Sequence, residues 1–282
     1  MYYEYSFSAF YKPELRDFLK ANGIKYKPAN PTPKDRFVWF SVYSNSANCD
    51  EIIKKLQEMK VAKPARLTKY TKEEIESAQL LIIRPARHSI EITNYKSAYE
   101  CTCTWIAPVG RGLEMVKHRS QKDIFAIRKE LPMKNSAAFS NEDTGQSEIF
   151  VDSRILKLTQ DNSLRGLDFE KVYRKKGVYS DNTFHLKSTN IIPKESICKG
   201  EGLESSFCKF CGREQYIMKD PYQLRLKGTP DDYADDMYMT DRFWGPGIDS
   251  SKYMISQRFY RLLVENKLNG KLVVEPVFIG EE

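Results

Sequence analysis

The chain has 282 residues, 41% of them hydrophobic and 29% charged, enough apolar content to build one large core or two ordinary ones without covalent staples. Its net charge of +7 invites a nucleic-acid reading, but the basic residues are scattered among acids as on an ordinary solvated surface. No apolar run approaches the ~20 residues that span a bilayer, and the start Met1-Tyr-Tyr-Glu-Tyr-Ser-Phe lacks the basic and apolar regions of a signal peptide. A cytoplasmic protein is therefore expected, whose six cysteines are reduced or metal-bound rather than paired as disulfides.

Residues 2–10 mix aromatic and small side chains as a strand does. Pro13 opens a short helix with Leu15, Phe18 and Leu19 on one face, closed by Gly23. A brief strand over 24–26 and a Pro-rich turn lead to the strongly strand-like run Arg36–Tyr43. Asn48 or Asp50 then caps a helix carrying Ile52, Ile53, Leu56 and Met59. The order βαββα predicts a small α/β sandwich of the ferredoxin-like kind over residues 1–85. This region carries most of the excess charge, 15 Lys/Arg against 10 Asp/Glu, while residues 86–282 carry 30 against 28. Thr71-Lys-Glu-Glu74 is a capping box that starts a helix joining the two regions. Cys49, with no histidine near it in sequence, reads as a partly buried thiol rather than a nucleophile.

After Pro85 the sequence turns strand-rich and repeats itself. Phe150–Gly166 resembles Tyr253–Gly270: a strand end, a Ser cap (Ser153, Ser256), an amphipathic helix, an Asn-x-Leu-x-Gly stop and a following strand. Asp123-Ile-Phe and Asp236-Met-Tyr form a second pair of landmarks, and the cysteine pairs Cys101-Thr-Cys103 and Cys208-Lys-Phe-Cys211 a third. The offsets run from 103 to 113 residues in one order, which predicts an internal duplication with halves near 86–178 and 179–282. The fold class expected for the whole chain is α+β, with one helix in each half of the duplicated domain.

Cys208-x-x-Cys211-Gly212 has the form of a zinc knuckle, whose turn aims two thiolates at one tetrahedral ion. The duplication supplies Cys101 and Cys103 as the other two ligands of one structural zinc, a closed shell that leaves no position for a catalytic water. Two alternatives stand beside it: Cys198, Cys208 and Cys211 with one of His88, His118 and His185, or six reduced thiols and no metal.

No GxSxG, P-loop, GxGxxG or HExxH occurs, so no catalytic constellation is read and no enzyme activity is expected. The acidic run Asp231, Asp232, Asp235, Asp236 and Asp241 reads as a solvated loop and strand edge, with a divalent-ion site or a face for a basic partner as sharper options. Phe243 and Trp244, in the turn Thr240–Gly247, read as an aromatic corner available for packing or for an interface. Together Asp232, Asp235, Asp236, Phe243 and Trp244 are the expected partner contacts.

Over residues 86–282 the chain resembles the bacterial double-CxxCG-motif proteins, related to immunity proteins that protect a cell against polymorphic or contact-delivered toxins. The features shared are the spaced cysteine pairs, the Asp236-Met-Tyr strand, Tyr222-Gln-Leu, Ile255–Leu263, the Leu-Asn-Gly stop and Val273–Val277. Its one departure is Cys101-x-Cys103 where the family has CxxCG. The resemblance implies a non-enzymatic binding protein whose partner is a protein toxin. The competing expectation is a zinc-containing nucleic-acid-binding or adaptor protein that uses the basic N-terminal region.

Overall fold

The computed structural model describes the chain apart from residues 29–36, 86–88, 91, 97–103, 110–111, 118–123, 128–138, 143–147, 175–177, 201, 208–213, 219–222, 242–250, 271 and 281–282. The fold is α+β, divided into two compact units, Met1–Glu74 and Ile75–Glu282.

The first unit runs β1 (Tyr2–Phe10), α1 (Pro13–Ala21), β2 (Tyr26–Pro28), β3 (Phe37–Tyr43), α2 (Cys49–Glu58) and β4 (Ala65–Lys69). Its sheet has the order β2-β3-β1-β4 and is antiparallel throughout. Each helix therefore connects two parallel strands that flank a third, which is the ferredoxin-like arrangement. Alternation along the strands sends Phe7, Ala9, Val38, Phe40 and Val42 to one face, where they pack against Leu15 and Leu19 of α1 and Ile52 and Leu56 of α2. The rings of Phe7 and Phe40 stack at 5.0 Å across β1 and β3. The Thr71–Glu74 capping box forms as expected, with Thr71 N–H donating to the Glu74 carboxylate and Glu74 N–H to the Thr71 hydroxyl. It starts α3 (Lys72–Ser77), the helix that contains the division between the units.

The second unit continues with β5 (Leu80–Pro85), β6 (Ser89–Ile90), β7 (Ile92–Lys96), β8 (Thr104–Val109), β9 (Gly112–Lys117), β10 (Ile124–Ile127), β11 (Phe139–Glu142), β12 (Ile149–Asp152), α4 (Ser153–Asp161), β13 (Leu167–Arg174) and β14 (Tyr179–Ser188). It is completed by β15 (Ile191–Ile192), β16 (Leu203–Phe207), β17 (Glu214–Met218), β18 (Arg225–Leu226), β19 (Met237–Thr240), β20 (Tyr253–Ser256), α5 (Gln257–Glu265) and β21 (Leu272–Ile279). These strands form a seven-stranded sheet, β6-β11-β12-β14-β13-β10-β7, a six-stranded sheet, β15-β19-β20-β5-β21-β18, and the hairpins β8–β9 and β16–β17.

Six strands of the seven-stranded sheet match the six-stranded sheet in order and direction, and β7 has no counterpart. β6 and β15 run parallel to β11 and β19, which run antiparallel to β12 and β20. β12 and β13 flank the antiparallel strand β14, just as β20 and β21 flank β5. β10 and β18 close the match, each parallel to β13 or β21. The register agrees as well: Asp152 faces Thr183 as Ser256 faces Leu80, and Leu167 faces Ser188 as Leu272 faces Pro85. An ion pair recurs at the same place, Lys187 Nζ to Glu170 at 2.5 Å and Arg84 Nη2 to Glu275 at 2.5 Å.

One feature of this match runs against chain order. β14, which leads into β15, lies at the centre of the sheet built from β6–β13. β5, which leads into β6, lies at the centre of the sheet built from β15–β21. Each of these two strands thus lies at the centre of the sheet that the other stretch of chain builds. A division of the chain at residue 85 would cut β5 away from the sheet it centres, because the units part earlier, between Glu74 and Ile75.

Both helices end alike. The Asn162 and Asn266 side chains each donate to the carbonyl of the residue four earlier (Leu158, Leu262) at 2.9 Å, and Ser163 and Lys267 follow with φ of 49° and 56°. At the N-termini the sequence reading needs correction. Ser256 caps α5, but α4 is capped by Asp152, whose carboxylate accepts Arg154 N–H, while Ser153 is the first helical residue. Of the landmark Asp123-Ile-Phe, Asp123 lies outside the described residues, and Ile124 and Phe125 begin β10, which lies beside β13 as β18 lies beside β21, whereas the strand placed like β19 is β11.

One apolar core joins both sheets and both helices, with Leu81, Ile83, Val151, Ile155, Leu186, Ile255, Phe259 and Leu263 at its heart. The other face of the six-stranded sheet, through Leu80, Ile82, Met254 and Val277, packs on Tyr216 of β17 and on Tyr233. Among the described residues no helix is long and apolar enough to cross a membrane.

Candidate functional site

The four expected zinc ligands, Cys101, Cys103, Cys208 and Cys211, lie outside the described residues, as do Phe243, Trp244, His88 and His118. The frames that carry the cysteines are described. Phe207 and Glu214 pair across the β16–β17 hairpin, so the six residues 208–213 that contain Cys208-x-x-Cys211-Gly212 connect two antiparallel strands. Cys103 immediately precedes β8, whose first residue Thr104 pairs with Lys117. Among the described residues no group of three or more His, Cys, Asp or Glu side chains is placed to hold a metal.

The two described cysteines are buried thiols. Cys49 begins α2 and packs into the first unit's core; burial, with the nearby Asp50 charge, pushes its pKa up and away from thiolate chemistry. Cys198 is buried in the second unit, its N–H donating to the Arg225 carbonyl.

The aspartates divide by role rather than forming one acidic face. Asp232 lies in a short 3-10 helix, Pro230–Tyr233, and forms a capping box with Thr229: its carboxylate accepts the Thr229 N–H at 2.7 Å and the hydroxyl at 3.0 Å. The backbone hydrogen bond first, then the hydroxyl, holds its pKa below the usual value. Asp235 accepts from Asn190 Nδ2 at 3.0 Å and pairs with Arg165 at 2.9 Å. Asp236 is 3% exposed and accepts from Ser256 Oγ, from Arg165 N–H and from the Arg258 guanidinium at 2.8, 3.0 and 3.2 Å. It thereby ties the cap of α5 to the turn after α4. Of the three aspartates among the expected contact residues, Asp236 is turned inward, and Asp232 and Asp235 reach solvent.

That same junction sets Gly166 against backbone. Its φ is +83°, and a Cβ there would sit 2.5 Å from the Met237 carbonyl oxygen and against Asn190 Nδ2. The glycine of the Asn-x-Leu-x-Gly stop is thus needed here for its missing side chain as well as its backbone freedom.

The least expected polar group is His185 on β14. It is 1% exposed, and its two ring nitrogens face carboxylates, Nε2 to Glu148 at 2.7 Å and Nδ1 to Glu170 at 3.5 Å. Glu148 is itself buried and also accepts the Tyr253 hydroxyl at 3.0 Å. Glu170 is held by Lys187 as well, at 2.5 Å. Burial alone would push the His185 pKa down; hydrogen bonds to Glu148 and Glu170 and the charge of Glu148 outweigh it and leave the pKa raised. Burial likewise acts to raise the Glu170 pKa, but His185 and Lys187 outweigh it and lower it. Both ring nitrogens are thus turned to carboxylates inside the protein, away from solvent. The chemistry of His185 is that of an internal ion pair joining β12, β13 and β14. In the matching place in the other sheet stands Ile82, so this charge belongs to one half only.

Sequence reasoning missed this cluster because its members are 15 and 37 residues apart. The visible signal was a histidine inside an apolar strand pattern, Phe184-His185-Leu186.

No protein-family model matches the chain, and no curated protein matches it.

Proposed function

We propose that this chain is a non-enzymatic, cytoplasmic protein of immunity type, which binds a bacterial toxin and blocks it by occupying its surface. Its second unit is read as an internal duplication in which each half lends its first strand to the other. The observation that carries the reading is the use to which the shared motif residues are put. Asp236, Ser256 and Arg258, drawn from the segments that resemble double-CxxCG-motif proteins, bond to one another and fix β19, β20 and α5. Residues spent on one another in this way maintain a fold and a surface, and stoichiometric inhibition needs a surface that is already ordered before it binds.

A structural zinc held by Cys101, Cys103, Cys208 and Cys211 belongs to this reading. The hairpin frame of Cys208 and Cys211 favours it, and the ion would link the two halves through segments distant in sequence. When bound, zinc would supply there a tetrahedral crosslink of four thiolates.

The test is co-expression. Bacteria that express the toxin encoded beside this chain should survive when the chain is present and die when it is absent. Death in both cases would reject the immunity reading.

A further inference from the structure

We propose that the open face of the first unit's sheet is a stacking platform for single-stranded nucleic acid. α1 and α2 cover one face of that sheet, and the other stands open. On it Phe10 is 62% exposed, Trp39 58% and Tyr43 41%. These are large apolar groups that folding normally covers, and here they gather on the two central strands, β1 and β3. The register makes them two clusters. Phe10 pairs with Phe37, their rings 4.2 Å apart, with Trp39 two residues further along the same face; at the other end Tyr2 meets Tyr43 edge-on at 6.2 Å.

What lies between the clusters distinguishes the occupant. Ser8 faces Trp39, and Ser6 faces Ser41, so hydroxyls line the middle of the two central strands, with Ala65 and the exposed Leu67 of β4 beside Ser6 and Glu4. Glu4 also lies there, its charge engaged by Ser41 at 2.6 Å and Lys69 at 2.9 Å. Rings separated by hydrogen-bonding groups suit flat, polar-edged bases, whereas a sheet-to-sheet dimer wants a continuous aliphatic surface. Charge points the same way. Lys27 faces Trp39 from β2 at one margin of the platform, while Lys69 at the other is paired with Glu4. Residues 1–74 hold 14 Lys/Arg against 9 Asp/Glu, an excess that attracts a phosphate backbone and repels a second copy of the same unit. Four-stranded sheets with exposed aromatic rings on the central strands stack two or three bases in this way, and each base has a π-face, so sequence preference is modest.

The experiment is fluorescence anisotropy with the full chain and labelled oligouridylate or oligothymidylate of about twelve nucleotides. Binding is expected to weaken steeply between about 50 and 200 mM salt. Trp39→Ala should lower affinity by roughly 5- to 150-fold, the loss of one stacked base. Lys27→Ala should make the salt dependence shallower, by about 0.7 in the log–log slope. Both positions are exposed, and circular dichroism and thermal melting should show the variants folded. A preference between the two oligomers says whether RNA or DNA is the natural ligand. Three results would overturn the proposal: no binding of either oligomer at low salt, binding that Trp39→Ala and Phe10→Ala leave unchanged, or a Trp39→Ala effect confined to self-association in sedimentation.

Discussion

If β5 centres the sheet built from β15–β21, a fragment that starts at Ile75 should fold and one that starts at residue 86 should not. The two differ by only eleven residues, but those contain Leu80, Leu81, Ile82 and Ile83, exposed by 0, 0, 6 and 2%. Burial of each such side chain contributes about 1.5–3 kcal/mol, about 6–12 kcal/mol together, which is comparable with the whole net stability of a domain, about 5–15 kcal/mol. The loss also leaves β20 and β21 without the ladder that joins them, since both pair with β5. Urea unfolding followed by circular dichroism measures this directly, with a cooperative transition expected for 75–282 and none for 86–282. A point-substitution control uses the matched positions Ile83 and Leu186, each of which should cost about 2–5 kcal/mol on truncation to alanine. A cooperative transition in 86–282 with the stability of the longer fragment would refute the exchanged-strand arrangement.

Further outcomes follow from single positions. Gly166→Ala should destabilise the second unit by about 2–4 kcal/mol in urea unfolding, because a left-handed residue gains a Cβ against the Met237 carbonyl; a change within 0.5 kcal/mol, the usual scatter of neutral substitutions, would show that the turn relaxes freely. His185 has a raised pKa, so the stability it contributes is full below its unfolded value of about 6.5 and is lost as pH rises through the folded value. Glu170, with a lowered pKa, has the opposite limb, losing its contribution as pH falls below about 4.5. The stability difference between wild type and His185→Gln should therefore shrink as pH is raised above 6.5; a constant or growing difference would remove the imidazolium from the account. Asp236→Asn should cost about 1–3 kcal/mol by weakening its charge-assisted bonds to Ser256, Arg165 and Arg258. Elemental analysis should find one zinc per chain and less in Cys211→Ser, and metal-free wild-type protein would dismiss the zinc clasp.

The first unit was legible because its helices announce themselves locally. Pro13 at a helix start, Gly23 at its end and the spacing of Ile52 and Leu56 are signals within one or two turns, and the alternation of Phe37–Tyr43 says which residues face the helices. Strand partners are another matter. Leu80-Leu-Ile-Ile83 is a run of four apolar residues, and nothing in it says that their neighbours are β20 and β21, about 170 to 200 residues away. The same limit explains why Asp123-Ile-Phe was matched to Asp236-Met-Tyr: both begin strands, and the sheet position that separates them is set by pairing. The Asn-x-Leu-x-Gly stops succeeded since the side-chain amide, the left-handed residue and the glycine act within one helix end. At the site, a run of aspartates resembled a solvated face until Ser256 and Arg258, from the next strand and helix, came to engage Asp236. His185 needed two carboxylates from two other strands before its character could be seen.

Titration of the proposed toxin partner with this chain offers the most direct decision on its role. A binding inhibitor should reduce toxin activity in proportion to the amount added and abolish it at a molar ratio near one, with the two proteins recovered intact as a complex. Inactivation by a small fraction of an equivalent would instead reveal turnover and make the chain an enzyme, and full toxin activity at excess chain would sever the link between them.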